Sequence, residues 1–126
     1  MRLFIVRHAE AAPGDPDALR PLTPAGHEQA RLLAEQLPQA HTVLTSPLLR
    51  ARETATAIAR AAGVELEVDD RLAPGATAED VRAAVEGRKG TVVVVGHQPD
   101  CSRIAAALTG GAEPAFPPAG FCELEL

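Results

Sequence analysis

The 126-residue sequence has no tryptophan and no tyrosine, and its aromatic content of 2% comes from three phenylalanines. A chain so poor in aromatic rings offers no platform on which the bases of a single-stranded nucleic acid would stack. Basic residues are also in deficit, because the formal net charge is −5, whereas general polyanion binders carry a basic surface. We therefore expect no nucleic-acid partner, and any recognition of an anion must be local.

Cysteines and long hydrophobic runs are scarce as well. Two cysteines do not make the disulfide framework of a small secreted domain. Arg7 interrupts the first apolar run after four residues, which is too short for a signal peptide or a membrane span. The four histidines lack the short spacings of zinc ligands. We expect a reduced, cytoplasmic protein with no membrane association, no metal and no cofactor.

Strand patterns alternate with helical patterns along the whole chain. Strands are predicted at 3–6, 42–45, 64–68, 91–95 and 121–126. Helices are predicted at 24–37, 48–62, 77–87 and 101–108, and residues 9–22 are predicted to form a loop. This alternation predicts one α/β domain over residues 1–126, a three-layer α/β/α sandwich around a mostly parallel sheet of about five to six strands. Apolar and acidic residues alternate at 64–68, which favours an edge position.

Two buried strands are each followed by a histidine. Arg7 and His8 follow the strand at 3–6, and His97 follows the strand at 91–95 after one glycine. Ligands bind beyond the carboxyl ends of parallel strands, so neighbouring strands would bring both imidazoles to one edge of the sheet. Arg50 lies in the first turn of the helix at 48–62, where a cation opposes the helix dipole, and this placement indicates an anion nearby.

Arg7, His8, Arg50 and His97 would together form a pocket for a small dianion. Guanidinium groups form bidentate hydrogen bonds with phosphoryl oxygens, so a phosphate group is the ligand that this pocket favours. An imidazole attacks phosphorus only when it is neutral, and neighbouring arginines disfavour its protonated form. We also expect a backbone carbonyl to orient His8 through the ring nitrogen that does not attack.

Motifs in consistent order carry a family resemblance. They are LFIVRHAE at 3–10, LTPAG at 22–26, SPLLRARETA at 46–55 and VGH at 95–97. Together they resemble the histidine phosphatase superfamily, and the compact chain with Arg20-Pro21-Leu22-Thr23 resembles its phosphohistidine phosphatases of the SixA type. The resemblance implies that His8 is the nucleophile and becomes phosphorylated. It further implies that Arg7, Arg20, Arg50 and His97 bind the phosphoryl group, and that the partner is a phosphohistidine-bearing phosphorelay or phosphotransfer protein.

The sequence departs from the wider family in one respect. Many members supply a carboxylic general acid after the third strand, but residues 71–76 contain no carboxylate. A phosphoramidate needs that acid less than an alkyl ester does, because its leaving nitrogen takes a proton readily from solvent. The missing acid favours phosphohistidine as the substrate.

Two other functions stay open at this point. A phosphomonoesterase or mutase acting on a small metabolite would need Asp69, Asp70, Glu79 or Glu10 as its acid. A phosphate-binding module without catalysis would need no nucleophile. Cysteine phosphatase chemistry fails on spacing, because Ala107 stands six residues after Cys101 where an arginine is required. Cys101 and Cys122 are therefore predicted to be small buried side chains.

Overall fold

Runs of β-branched and aliphatic residues form a five-stranded sheet in the computed structural model, which describes residues 1–126. Four α-helices and two short 3-10 turns, at Asp17–Leu19 and Asp70–Leu72, complete the chain. In chain order the principal elements are β1 (Arg2–Arg7), α1 (Pro24–Gln36), β2 (Thr42–Thr45), α2 (Leu49–Ala62), β3 (Leu66–Val68), α3 (Ala78–Val85), β4 (Thr91–Gly96), α4 (Asp100–Thr109) and β5 (Phe121–Glu125).

The strand order is β3-β2-β4-β1-β5, and only β5 runs antiparallel to its neighbour. The predicted mostly parallel sheet is therefore confirmed, and β3 lies at the predicted edge. β1 and β4 are adjacent and parallel, with Arg7 in register with Gly96. Their carboxyl ends reach the same edge of the sheet, so the histidines that follow them start from neighbouring positions.

Helices cover both faces of the sheet. On one face, α3 and α4 pack over a core that includes Val92 and Val94 of β4. On the other, α1 and α2 pack over a core that includes Val93 and Val95. Because successive side chains of a strand point to opposite faces, one strand contributes to both cores. The three-layer α/β/α architecture is confirmed.

The elements differ from the prediction at a few boundaries. β3 begins at Leu66 instead of residue 64, because the Val64 amide still donates to the Ala59 carbonyl at the end of α2. Gly63 ends that helix in the left-handed conformation, with φ of 71°. Cys101 is buried as predicted, but Cys122 is only half-buried, since it lies on the edge strand β5.

None of the helices combines the length and the apolar character that crossing a lipid bilayer would require.

Candidate active site

The two imidazoles that follow β1 and β4 lie side by side. The ring centroids of His8 and His97 are 5.3 Å apart, and the planes are inclined by 57°. His8 is half-buried, whereas His97 is 4% exposed. The parallel pairing of β1 with β4 thus produces the meeting of histidines that the sequence predicts.

A backbone carbonyl orients His8. Its Nδ1 lies 2.7 Å from the Ala9 carbonyl oxygen. Since a carbonyl only accepts hydrogen bonds, this contact assigns the proton to Nδ1 and leaves the lone pair on Nε2. Burial is the largest of the effects that lower the pKa of His8, followed by the charges of Arg50, Arg7 and Arg20, while the bond to Ala9 opposes them. The arginines act in the predicted direction, but burial is the larger cause.

His97 is held from the other side of its ring. Its Nε2 lies 2.7 Å from the Ser46 hydroxyl oxygen, which accepts a 3.2 Å hydrogen bond from the Leu48 amide. Its Nδ1 is buried and has no hydrogen-bond partner in the protein. Burial lowers the pKa of His97 to about 4, with smaller contributions from His8 and Arg50. The ring is therefore neutral at physiological pH.

Arg7 supplies a second buried nitrogen without a partner. Its Nη1 donates to the Phe116 carbonyl at 2.9 Å, but its Nε is buried and makes no hydrogen bond. Arg52 Nε, on α2, is the third buried side-chain nitrogen that makes no hydrogen bond. Buried polar groups are almost always paired in folded proteins. The unpartnered nitrogens of residues 7 and 97 are therefore candidate donors to a polar ligand.

Arg50 forms an ion pair with a carboxylate of the same chain. The residue is buried, and its Nη1 donates to the Asp17 carbonyl at 3.0 Å. Its Nη2 donates to the Asp17 carboxylate at 3.2 Å. The anion indicated by an arginine at the start of a helix is thus an aspartate of the loop between β1 and α1. Arg20 joins this group, because its Nη1 donates to the same carboxylate at 3.0 Å.

Ser46 and Thr54 contribute to the site although the sequence analysis did not select them. The Ala9 amide donates to Thr54 Oγ1 at 3.0 Å, and that hydroxyl donates to the Arg50 carbonyl at 2.8 Å. Thr54 thus joins the end of β1 to the start of α2. Ser46 had a signal in the sequence, because it follows β2 just as His8 follows β1. Thr54 had only its spacing of one helical turn from Arg50.

The remaining histidines and the candidate acids are not bonded to the two imidazoles. His27 pairs with Glu53 at 3.7 Å, and His41 Nδ1 accepts a 3.0 Å hydrogen bond from the Thr91 amide. Asp69 is held by Arg71, which lowers the pKa of the carboxyl group. No hydrogen bond or ion pair joins the imidazole of residue 8 or 97 to any of the four candidate acids, Asp69, Asp70, Glu79 and Glu10.

The arrangement of side chains does not support a metal site or a nucleophilic cysteine. No group of three or more histidine, cysteine, aspartate or glutamate side chains is arranged to hold a metal ion. Burial raises the pKa of Cys101 to about 12, so its sulfur is a thiol at neutral pH. A nucleophilic cysteine must be a thiolate. Cys101 is therefore not a nucleophile at neutral pH.

The chain resembles known proteins over most of its length. The sequence profile of the histidine phosphatase superfamily (branch 1) matches residues 3–74. Phosphohistidine phosphatase SixA of Escherichia coli is 31% identical over 90% of this chain and 78% of its own length. An uncharacterized protein of Picosynechococcus is 37% identical over 88% of this chain and 74% of its own. Among solved structures, the histidine phosphatase SixA complexed with tungstate superposes with a TM-score of 0.88 at 29% identity, covering 100% of this chain and 88% of the other.

Proposed function

Because this chain belongs to the histidine phosphatase superfamily and is of the SixA type, it is a phosphatase, and we propose that it cleaves the P–N bond of phosphohistidine on a protein. The partner is a phosphorelay or phosphotransfer protein that carries phosphohistidine. The observation that carries the proposal is the convergence of a free His8 Nε2 with unpartnered buried nitrogens of Arg7 and His97. This group combines a nucleophile with donors for the phosphoryl oxygens.

In the first step His8 Nε2 attacks phosphorus. A bond forms between Nε2 and phosphorus while the bond between phosphorus and the substrate imidazole breaks, and the departing nitrogen takes a proton from solvent. Arg7 and Arg50 stabilise the charge on the phosphoryl oxygens. His97 donates from Nδ1 to one of them, because the Ser46 hydroxyl can donate to Nε2 and so leave the ring proton on Nδ1.

In the second step water attacks the phosphoryl group on His8. The bond between water oxygen and phosphorus forms, the P–Nε2 bond breaks, and the proton from water passes to solvent. Because Nδ1 keeps its proton against the Ala9 carbonyl, the leaving group is neutral imidazole. No protein acid is required for this departure.

The placement of the carboxylates favours a P–N substrate over an alkyl ester. An alkoxide leaving group has to be protonated by a general acid whose pKa lies near the working pH. The pKa of Asp69 is lowered by its hydrogen bonds with Arg71, so this carboxyl group is ionised at neutral pH. Asp69, one of the four acids open to the phosphomonoesterase alternative, is therefore unsuited to act as a general acid.

The test compares phosphate release from a histidine-phosphorylated phosphotransfer domain and from an alkyl phosphate ester. We expect the native protein to prefer the P–N substrate and to accumulate acid-labile phosphate on His8. His8→Ala should lower kcat/KM by roughly 1000-fold or more, as expected for removal of a nucleophile. His27→Ala is the matched control, because this histidine lies on α1 and is 56% exposed.

Two outcomes would contradict the proposal. Release from the ester at an equal or greater rate would make the protein a phosphomonoesterase. A native protein that binds phosphate but neither turns over a substrate nor carries phosphate on His8 would be a binding module.

A further inference from the structure

One residue of the loop between β1 and α1 holds both Arg20 and Arg50. The Asp17 carbonyl accepts from Arg50 Nη1 at 3.0 Å, and one carboxylate oxygen accepts from Arg50 Nη2 at 3.2 Å. The other carboxylate oxygen accepts from Arg20 Nη1 at 3.0 Å. Three oxygens of a single residue thus fix the relative position of two guanidinium groups.

Asp17 acts from outside the reacting centre. Its side chain is 61% exposed, whereas that of Arg50 is 8% exposed. The carboxylate pairs with the arginines and with neither imidazole. The Arg50 guanidinium has no hydrogen-bond partner in the protein other than the carbonyl and the carboxylate of Asp17. The guanidinium has five N–H donors in a rigid fork, and two of them point at Asp17, which leaves the others for a ligand.

We propose that Asp17 is a positioning residue that holds Arg20 and Arg50 as one rigid unit, so that their remaining donors meet the oxygens of a phosphoryl dianion. This inference rests on the proposed function for the identity of the ligand. The carboxylate does not serve as a general acid, because hydrogen bonds from Arg20 and Arg50 lower the pKa of Asp17. Its role is to remove the conformational freedom of two long side chains before the substrate arrives.

The chain offers a matched control for the test. Asp15 lies in the same loop, is exposed, and makes no hydrogen bond or ion pair through its side chain. Asp15→Ala and Asp17→Ala therefore remove the same charge from the same loop, but only the second removes the carboxylate that joins the two arginines. Arg50 Nη1 would keep its bond to the backbone carbonyl of residue 17, and Arg20 Nε would keep its 2.8 Å bond to the Ala12 carbonyl. Asp17→Asn keeps the shape and one acceptor oxygen, so it should retain part of the function.

The measurement is the Kd of inorganic phosphate by calorimetry, together with kcat and KM. We expect Asp17→Ala to raise the Kd about tenfold, Asp17→Asn to raise it less, and Asp15→Ala to leave it unchanged. KM should rise more than kcat falls. Combining Asp17→Ala with Arg20→Gln should give less than the product of the two single effects, because both variants disrupt one unit.

Unchanged or tighter phosphate binding in Asp17→Ala would overturn the inference, since the carboxylate would then be neutral or a competitor for the arginines. Fully multiplicative effects in the double variant would also overturn it. Phosphate binding does not depend on turnover of phosphohistidine. If Asp17→Ala weakens phosphate binding while the native protein fails to cleave phosphohistidine, the substrate proposal fails and the role of Asp17 stands.

Discussion

A phosphatase that uses an imidazole as its nucleophile has to keep that imidazole unprotonated. The site does so chiefly by burying the ring of His8, and the charges of Arg50, Arg7 and Arg20 act in the same direction. The arginines that we propose as phosphoryl ligands therefore also help to keep the proposed nucleophile neutral. Burial and charge act together because both disfavour the imidazolium cation.

The lowered pKa of His8 predicts the acidic limb of the pH profile. An ordinary histidine titrates near 6.5. Because the pKa of His8 lies below that value, the neutral and reactive form persists to lower pH. We expect the midpoint of the acidic limb of kcat/KM to lie below pH 6.5.

Titration of the His8 ring proton by NMR checks this prediction directly, and His8→Ala assigns the resonance by its loss. The profile of kcat/KM should share the same midpoint, since it reports the free enzyme. A midpoint at or above pH 6.5 would contradict the prediction, because the arginines and the burial would then leave the nucleophile no more neutral than one in water.

At the scale of single residues, site residues that directly follow a strand are easier to predict from the sequence than site residues that lie in a loop. His8 and His97 were predictable because the carboxyl ends of neighbouring parallel strands meet. Asp17 was not, although Arg50 at the start of a helix indicated an anion. The loop at 9–22 carries more than one carboxylate, and its path over the sheet decides which of them reaches Arg50. That path depends on contacts between distant parts of the chain.

The predicted elements agree with the structure wherever a local pattern decides them. Thr23 begins α1 by accepting a hydrogen bond from the Gly26 amide, as its place before Pro24 predicts. The predicted strand at 64–68 was too long, because Val64 bonds to the end of α2 before β3 begins. The alternation of apolar and acidic side chains does not show at which residue the hydrogen bonds of the preceding helix end.

Gly26 links the first turn of α1 to the loop that follows His8. A Cβ at this position would lie 2.0 Å from the Glu10 carbonyl oxygen. That oxygen belongs to the backbone and also accepts from the Thr23 amide at 3.0 Å, so it cannot move without breaking the loop. We expect Gly26→Ala to lower the free energy of unfolding by about 2–3 kcal/mol and to reduce kcat/KM, since Glu10 lies two residues from His8.

Urea denaturation followed by far-UV circular dichroism measures the first effect. Gly111→Ala is the control, because the nearest atom to its Cβ would be the Thr109 hydroxyl oxygen at an ordinary 3.5 Å. If Gly26→Ala unfolds at the same urea concentration as Gly111→Ala, the close approach of helix and loop does not constrain the fold.

At the scale of the whole molecule, one sheet separates two cores. Val93 and Val94 are 0% and 3% exposed and are consecutive on β4, yet they belong to different cores. The backbone of β4 is hydrogen-bonded to β1 and β2, so neither core can open without disturbing the strand that both share. The molecule should therefore unfold as one cooperative unit.

Val93→Ala and Val94→Ala test this cooperativity. Each substitution removes buried apolar surface and leaves a small cavity, which should lower the free energy of unfolding by about 2 kcal/mol. The absence of tryptophan and tyrosine rules out their fluorescence as a probe, but methyl resonances of Ile104 and Leu33 report on the α3–α4 and α1–α2 cores separately. Each variant should shift both resonances to the same lower urea midpoint. If Val93→Ala lowered the urea midpoint at Leu33 and left the midpoint at Ile104 unchanged, the two cores would be independent units. The sheet edge that holds the imidazoles would then lack the rigid support that keeps catalytic side chains in position.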